Sequence, residues 1–331
     1  MQSRTLGTNG LPVSAIGLGC MGMSDMYGPS DEAESIATIH AALEAGITLL
    51  DTGDFYGMGH NEMLIREALR AVPRDQVQIS VKFGGMRDPR NQLVGMDARP
   101  QAVKNFLSYS LRRLGVDYID IYRPSRLDPN VPIEDTVGAI AEMVQAGYVR
   151  HIGLSEVGVE TLRRAQAVHP IADLQIEYSL VSRGIEAAVL PACRELGIGV
   201  TAYGVLSRGL ISGHWSPERN AAPGDIRSHM PRFSGENLEH NLKLVEALRA
   251  LAEAKSITVA QLAIAWVLGQ GDDIVPLVGA RTRARLSEAL GAVDVTLTAE
   301  DQARLAQAIP VDAAHGERYN AAQMAHLDSE R

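Results

Sequence analysis

Hydrophobic positions along the chain alternate between two rhythms. In one, apolar side chains recur every three or four residues; in the other, a short β-branched run follows at once. A glycine marks each change. Leu-Glu-Ala-Gly46 precedes ITLLD, Arg-Arg-Leu-Gly115 precedes VDYIDIY, Val-Gln-Ala-Gly147 precedes YVRHIGL, and Arg-Glu-Leu-Gly197 precedes IGVTAY. Glycine takes the left-handed conformation past a helix most readily, so each junction predicts a helix end and then a strand. Between 31 and 46, Ile36, Ile39, Ala42 and Leu43 recur at helical spacing, and Asp31 with Glu34 resembles a capping box. Between 100 and 114, Pro100 stands where a first helical residue would, and Val103, Phe106, Leu107, Leu111 and Leu114 form one stripe.

The pattern predicts strands at Ser14–Leu18, Thr48–Asp51, Gln78–Lys82, Tyr118–Tyr122, His151–Leu154, Asp173–Ile176, Gly199–Tyr203 and Ile274–Val278. They are short and apolar on both faces, as parallel strands covered by helices are. Seven are followed by helical pattern of ordinary crossover length. The seventh connection, from Gly204 to about Thr282, is long and holds a loop and two helices, roughly 237–255 and 258–269. Strand–helix alternation eight times over predicts a (β/α)8 TIM barrel, with an open doubly wound sheet as the alternative. Thr5–Leu6 and Leu11–Val13 flank Thr8-Asn9-Gly10, a turn signal that predicts a hairpin within 1–14 plugging the barrel's bottom. Residues 1–331 read as one domain, with a polar, loosely held tail over 314–331.

Composition narrows the function. Lysines and arginines number 31 against 40 acidic residues, a net charge of −9, which argues against nucleic-acid or anionic-membrane binding. Mean hydropathy is −0.04, that of an ordinary folded chain. Cys20 and Cys193 make neither a disulfide framework nor a metal spacing, and the first ten residues hold no apolar leader core. No apolar run reaches the roughly 18 residues a membrane span needs. These features predict a cytoplasmic protein with no metal.

Gly17-Leu-Gly19-Cys-Met-Gly22 matches the dinucleotide fingerprint literally. That fingerprint requires a helix to open within it and an acid about 20 residues on. Met23–Pro29 cannot be a helix, and the next strand-end acid, Asp51, lies 29 residues past Gly22. The Rossmann reading fails.

In a barrel, chemistry gathers where strands end. Strand two ends in Asp51, with Tyr56 after it; strand three ends in Lys82. Singly, such residues are more often structural ion pairs or loop aromatics. Together, on adjacent strands, an inward Asp and Lys must pair, since a lone buried charge is too costly. A lysine beside a tyrosine hydroxyl is expected to lower a pKa normally near ~10, making Tyr56 a general acid for a developing alkoxide. At strand eight, Gly279 and a helix start with Arg281, Arg283 and Arg285 point to a bound phosphate, with a solvated helix face as the alternative.

With those residues in view, the sequence resembles the aldo-keto reductases from the Arg4–Gly10 hairpin to about Pro310. The blocks GLGCMG, LLDTGDFYG, VKFG, RHIGLSE, LQIEYSL, AYGVLSRG and VPLVGART carry the likeness. It is nearest a branch with pyridoxal reductases and related aldehyde reductases. The resemblance implies NADPH and a small carbonyl substrate. It implies Asp51, Tyr56 and Lys82 as three of four catalytic residues, with Tyr56 the proton donor. Ser155 and Gln175 match ligands of the nicotinamide carboxamide, and Tyr203 matches the aromatic stacked on the nicotinamide. Leu206, Arg208 and the Gly209 region match the pyrophosphate loop, Arg285 the reader of the 2′-phosphate, and Glu288 an adenine ligand. Two positions depart: Ser125 replaces the family's fourth catalytic residue, a histidine, and Ala289 replaces an adenine-binding asparagine. Either Arg123 reaches inward to compensate for Ser125 or it points into the helix layer. His60 or a water is a further substitute. Loops around Met23–Tyr27, Met86–Asp97 and Ser207–Glu236 would form the substrate pocket. The rival readings are a regulatory NADPH-binding protein on the same scaffold and, more weakly, a metal-dependent hydrolase.

Overall fold

The computed structural model describes residues 1–8, 10–24, 26–216 and 225–330. An antiparallel hairpin, β1 (Ser3–Leu6) and β2 (Leu11–Ser14), comes first. The barrel strands are β3 (Gly17–Gly19), β4 (Leu49–Gly53) and β5 (Gln78–Phe83), then, after a small second hairpin β6 (Gly85–Arg87) and β7 (Leu93–Met96), β8 (Ile119–Pro124), β9 (Val149–Ser155), β10 (Ile171–Glu177), β11 (Gly199–Tyr203) and β12 (Ile274–Gly279). All neighbours in the barrel are parallel, and it closes β12 onto β3. Helices α1 (Glu32–Glu44), α2 (His60–Ala68), α3 (Pro100–Leu114), α4 (Ile133–Gln145), α5 (Val159–Val168) and α6 (Val189–Leu196) follow successive strands. The long connection after β11 carries α7 (Gly235–Ala254) and α8 (Val259–Leu268), and α9 (Arg283–Leu290), α10 (Ala299–Ala308) and α11 (Ala321–Met324) complete the chain. This is the (β/α)8 barrel; the open sheet is excluded by closure.

The helix ends obey the glycine rule where it matters. Gly115 and Gly197 cap α3 and α6 at φ of 68° and 67°. The Asp31 carboxylate accepts the Glu34 amide at the start of α1. The bottom is sealed as expected: Leu6, Leu11 and Val13 of the hairpin pack with Leu49, Ile121, Val275 and Leu277. The Asn9 of its turn lies outside the described residues.

Three expectations need correction. The first strand does not begin at Ser14: that residue stays paired with Ser3 in the hairpin and exchanges hydrogen bonds with Thr48, so the barrel strand starts at Gly17. The 86–97 loop is not irregular, because the Asp88 carboxylate accepts the Arg90 and Gln92 amides and turns the chain into the β6–β7 hairpin. The tail is not loosely held. Asp328 accepts from the Gly158 amide and Thr161 hydroxyl, Leu327 is buried, and Arg318 sinks between strand-end carboxylates. No single helix among the described residues is long and apolar enough to cross a membrane.

Candidate active site

Parallel pairing of β4 with β5 sets Asp51 opposite Ser80 and Gly53 opposite Lys82. Lys82 therefore reaches back across one step of register, and its Nζ donates to Asp51 Oδ1 at 2.5 Å; both side chains are almost wholly buried. Asp51 Oδ2 accepts from Ser80 Oγ at 2.9 Å and Gln175 Nε2 at 2.7 Å. Tyr56 follows on a tight turn, buried, with Lys82 Nζ 5.1 Å from its ring centre. Gly53 leaves these rings uncrowded, since a Cβ there would stand 3.3 Å from both the Tyr56 and Phe55 rings.

The expected electrostatics reverse in one respect. Burial and the Asp51 charge hold the Tyr56 hydroxyl well above its ordinary range, Arg126 only partly opposing them. The phenol is thus held protonated, the state a proton donor requires. Burial pulls the Lys82 ammonium down; Asp51 opposes this, while Arg123 and Arg126 add to it.

Ser125 stands just past the end of β8, buried, and among the described residues the one partner its Oγ finds is Met96 Sδ at 3.9 Å. Neither expected substitute stands beside it. Arg123 does point inward, but it is fully buried beneath the site, donating to Asp173 Oδ2 at 2.9 Å, Thr201 Oγ1 and Ser80 Oγ. Gly153 makes room for this pair, for a Cβ would stand 2.5 Å from Asp173 Oδ1. His60 is exposed and bonded to Ser24. The group that does bear on both Tyr56 and Lys82 is Arg126, next to Ser125.

The cofactor residues expected at the mouth are arranged in two halves. Ser155 Oγ is buried with no hydrogen-bond partner, and Gln175 stands beside it in the β9–β10 register. An orphaned buried hydroxyl at that place fits a carboxamide. Tyr203, ending β11, gives its hydroxyl to Glu156 Oε1 at 2.5 Å and meets the Tyr319 hydroxyl at 2.9 Å. Beyond Leu206 the chain turns with φ of 45° at Ser207, 56° at Arg208 and 94° at Gly209, and the buried Ser207 Oγ lacks a partner. Arg208 pairs with Glu177 at 2.8 Å. Over Gly279 a Cβ would meet nothing within 4 Å, which leaves space for a ligand.

The arginine cluster of strand eight is only partly free for a phosphate. Arg283 makes an ion pair with Glu34 of α1, whose carboxylate also accepts the Arg283 amide at the start of α9. Arg281 donates to the carbonyls of Tyr27, Gly28 and Pro29. Arg285 remains half-exposed at the rim, bonded to Glu288 at 3.0 Å and to His214. A carboxylate 249 residues away thus occupies the helix start expected to take a phosphate.

Sequence reasoning missed the acids behind the site and their partner. Glu156 is wholly buried with φ of 54°, and its carboxylate accepts from Arg318 and Ser329. Burial would push it up, but Arg318, Arg126 and the Tyr203 hydroxyl prevail and bring it down to about 2. Two buried strand-end acids, Glu156 and Glu177, were the signal for a distant arginine. Residues 217–224 of the long loop and Asp25 lie outside the described residues. A concavity of about 950 Å3 opens at the opposite end of the barrel around Arg4, Thr8 and Gly197, far from this chemistry.

Residues 15–310 match the model of the Aldo/keto reductase family. A probable aldo-keto reductase from Glycine max is 42% identical over 97% of this chain and 92% of its own length. Among solved structures, a glycerol dehydrogenase from Gluconobacter oxydans superposes with a TM-score of 0.83 at 31% identity, covering 93% of this chain and 96% of that one. An aldo-keto reductase from Bacillus halodurans, solved in its holo form, gives 0.78 at 28% identity over the same shares.

Proposed function

The chain belongs to the aldo/keto reductase family, and from that premise we propose that it reduces aldehydes, and some ketones, to alcohols with NADPH, Tyr56 giving the proton. The observation that carries this is the buried Asp51–Lys82 pair beside a phenol that burial keeps protonated. Bound NADPH supplies the hydride to the carbonyl carbon. The protein's residues do the rest. Tyr56 donates to the carbonyl oxygen as charge develops there, and the Lys82 ammonium stabilises the phenolate left behind. Asp51 keeps that ammonium charged and fixed, while Ser80 and Gln175 hold Asp51.

Ser155 and Gln175 would hold the carboxamide, Tyr203 the nicotinamide face, and the Leu206–Gly209 turn with Arg208 the pyrophosphate. Arg285 and Glu288 are the candidates for the adenosine end. Arg208 must then be shared between Glu177 and the phosphates. A reduced, cytoplasmic setting suits Cys20 and Cys193, both buried and free.

The test is Tyr56→Phe, assayed with NADPH and an aldehyde panel. Turnover should fall at least ~10²-fold, in line with loss of a general acid, while NADPH affinity read by fluorescence moves little. A variant retaining its rate would overturn the assignment of Tyr56. A wild-type protein that binds NADPH yet reduces nothing would favour the regulatory reading.

A further inference from the structure

The family model matches residues 15–310, so the tail beyond Pro310 lies outside the matched segment, yet it reaches into the site. Glu156 stands just past β9 with φ of 54°, a backbone conformation that costs a non-glycine residue energy and persists only where its surroundings hold it. Its Oε1 extends across the end of β10, accepting the Glu177 amide at 3.1 Å, and meets the Tyr203 hydroxyl at the end of β11 at 2.5 Å. Arg318 of the tail clamps the same carboxylate, Nη1 to Oε1 at 2.8 Å and Nη2 to Oε2 at 2.5 Å.

The hydroxyls beside this pair are ordered. A tyrosine hydroxyl donates once, and an ionised carboxylate only accepts. Tyr203 spends its proton on Glu156, so in its 2.9 Å bond with Tyr319 the Tyr319 hydroxyl is the donor. Tyr319 in turn accepts from Arg126 Nη2 at 3.3 Å. One directed chain therefore runs from Arg126 through Tyr319 and Tyr203 to Glu156, cationic at one end and anionic at the other, and each bond polarises the next. Docking of the tail does not need these hydroxyls. Leu327 is buried, and Asp328 holds the Gly158 amide and the Thr161 hydroxyl at the start of α5. What the chain of hydroxyls fixes is Tyr203, a half-buried ring at a strand end that is otherwise free to turn about its side-chain bonds.

We infer that Arg318 and Tyr319 are positioning residues for hydride transfer: acting through Glu156 and the Tyr203 hydroxyl, they set the tilt of the ring expected to lie against the nicotinamide. The inference deepens the reductase reading and rests on it.

Tyr203→Phe and Tyr319→Phe each remove one hydroxyl and keep the ring, and both are compared with the wild-type chain carrying NADPH. Turnover should fall roughly 5- to 30-fold in Tyr203→Phe, which loses a bond to a charged group, and roughly 2- to 10-fold in Tyr319→Phe. The aldehyde KM should hold within about twofold, because the ground-state contacts of the carbonyl are untouched. The isotope effect with NADPH deuterated at the transferred position should rise in both variants as hydride transfer becomes the slow step. The double variant should be about as slow as Tyr203→Phe alone, since both hydroxyls lie on one chain. Without turnover, the emission of bound NADPH should shift in both. Arg318→Met should repeat these changes with a lower melting point, and Arg318→Lys should restore part of kcat; the two hydroxyl variants decide the matter even where Arg318→Met does not fold. If the wild type reduces aldehydes and both hydroxyl variants keep its kcat, isotope effect and NADPH emission, the tail is only a seal, and the inference fails while the reductase reading stands. Losses confined to the aldehyde KM would place Tyr319 against the substrate and overturn it as well. If the wild type neither binds NADPH nor reduces a carbonyl compound, both readings fall.

Discussion

Asp54, two residues before the proton donor, offers a test of how the site balances buried charge. It is 7% exposed, and among the described residues neither carboxyl oxygen has a well-formed hydrogen bond. Burial and the nearby Glu62 charge push it up to about 8; Arg113 and the backbone amides of Gly84 and Phe55 oppose this only partly. An unfolded aspartate ionises near pH 3.9, so the folded state binds the extra proton between about pH 4 and 8. A raised acid means stability is greatest below that window and is lost as pH rises through it. A gap of about four pH units at about 1.4 kcal/mol each sets an upper bound of about 5–6 kcal/mol, and water entering around the ionised group relieves part of it. We expect Asp54→Asn, which is isosteric and cannot ionise, to exceed the wild type by about 1–1.5 kcal/mol at pH 5 and by about 2–4 kcal/mol at pH 9. Thermal melts of both proteins from pH 5 to 9 read this directly. For a chain of 331 residues, whose unfolding entropy is about 0.7 kcal/mol/K, the gain corresponds to a melting point about 3–6 °C higher at pH 9. The general cost of the −9 net charge falls on both proteins and cancels in the difference. A difference that stays flat across the pH range would refute the account.

Two further outcomes follow from the site. Ser125→Ala should cost tenfold or less in kcat/KM, about one neutral hydrogen bond, whereas Ser125→His should raise reduction of simple neutral aldehydes if the imidazole displaces the Met96 side chain that now lies against the serine. A fall in that variant would show that Arg126 already commands the space. For the cofactor, Arg285→Ala should weaken NADPH at least tenfold and NADH less than threefold, while Arg283→Ala, removing a side chain already neutralised by Glu34, should change both by less than threefold; equal losses of the two cofactors in Arg285→Ala would remove the 2′-phosphate assignment.

The barrel was legible because its signals are local. A glycine past a helix and a β-branched run are read within ten residues, and eight repetitions favour a barrel, whose closure the pairing of β12 with β3 then shows. The meeting of Asp51, Lys82 and Tyr56 was legible for a related reason: strand ends are local, and a parallel barrel carries every one of them to the same mouth. What the sequence hid was which charges cancel. Three arginines within five residues suggested a phosphate site, but Glu34, 249 residues away, folds onto one of them and onto the helix start. The direction of Arg123 was open in the sequence, inward or into the helix layer; it points inward, where Asp173 and a missing Cβ at Gly153 turn it into a buried pair beneath the site. Arg318 sat in a polar tail with nothing beside it to mark it, and 162 residues separate it from the carboxylate it meets.

The same reasoning runs in the opposite direction for Arg126. Its position beside Ser125 is plain in the sequence, but beside a histidine or a serine an arginine is unremarkable. It becomes informative only when the fold has given Asp173, Glu156 and Glu177 to other arginines at hydrogen-bond distance and left this one bonded to a carbonyl and a phenol, with Glu156 acting on it through charge alone. A run of basic residues is a statement about composition; the free charge it presents is what remains after the acids have folded against it. In this chain the start of α9 is the clearest case: Glu34 takes Arg283 and its amide, and three carbonyls hold Arg281.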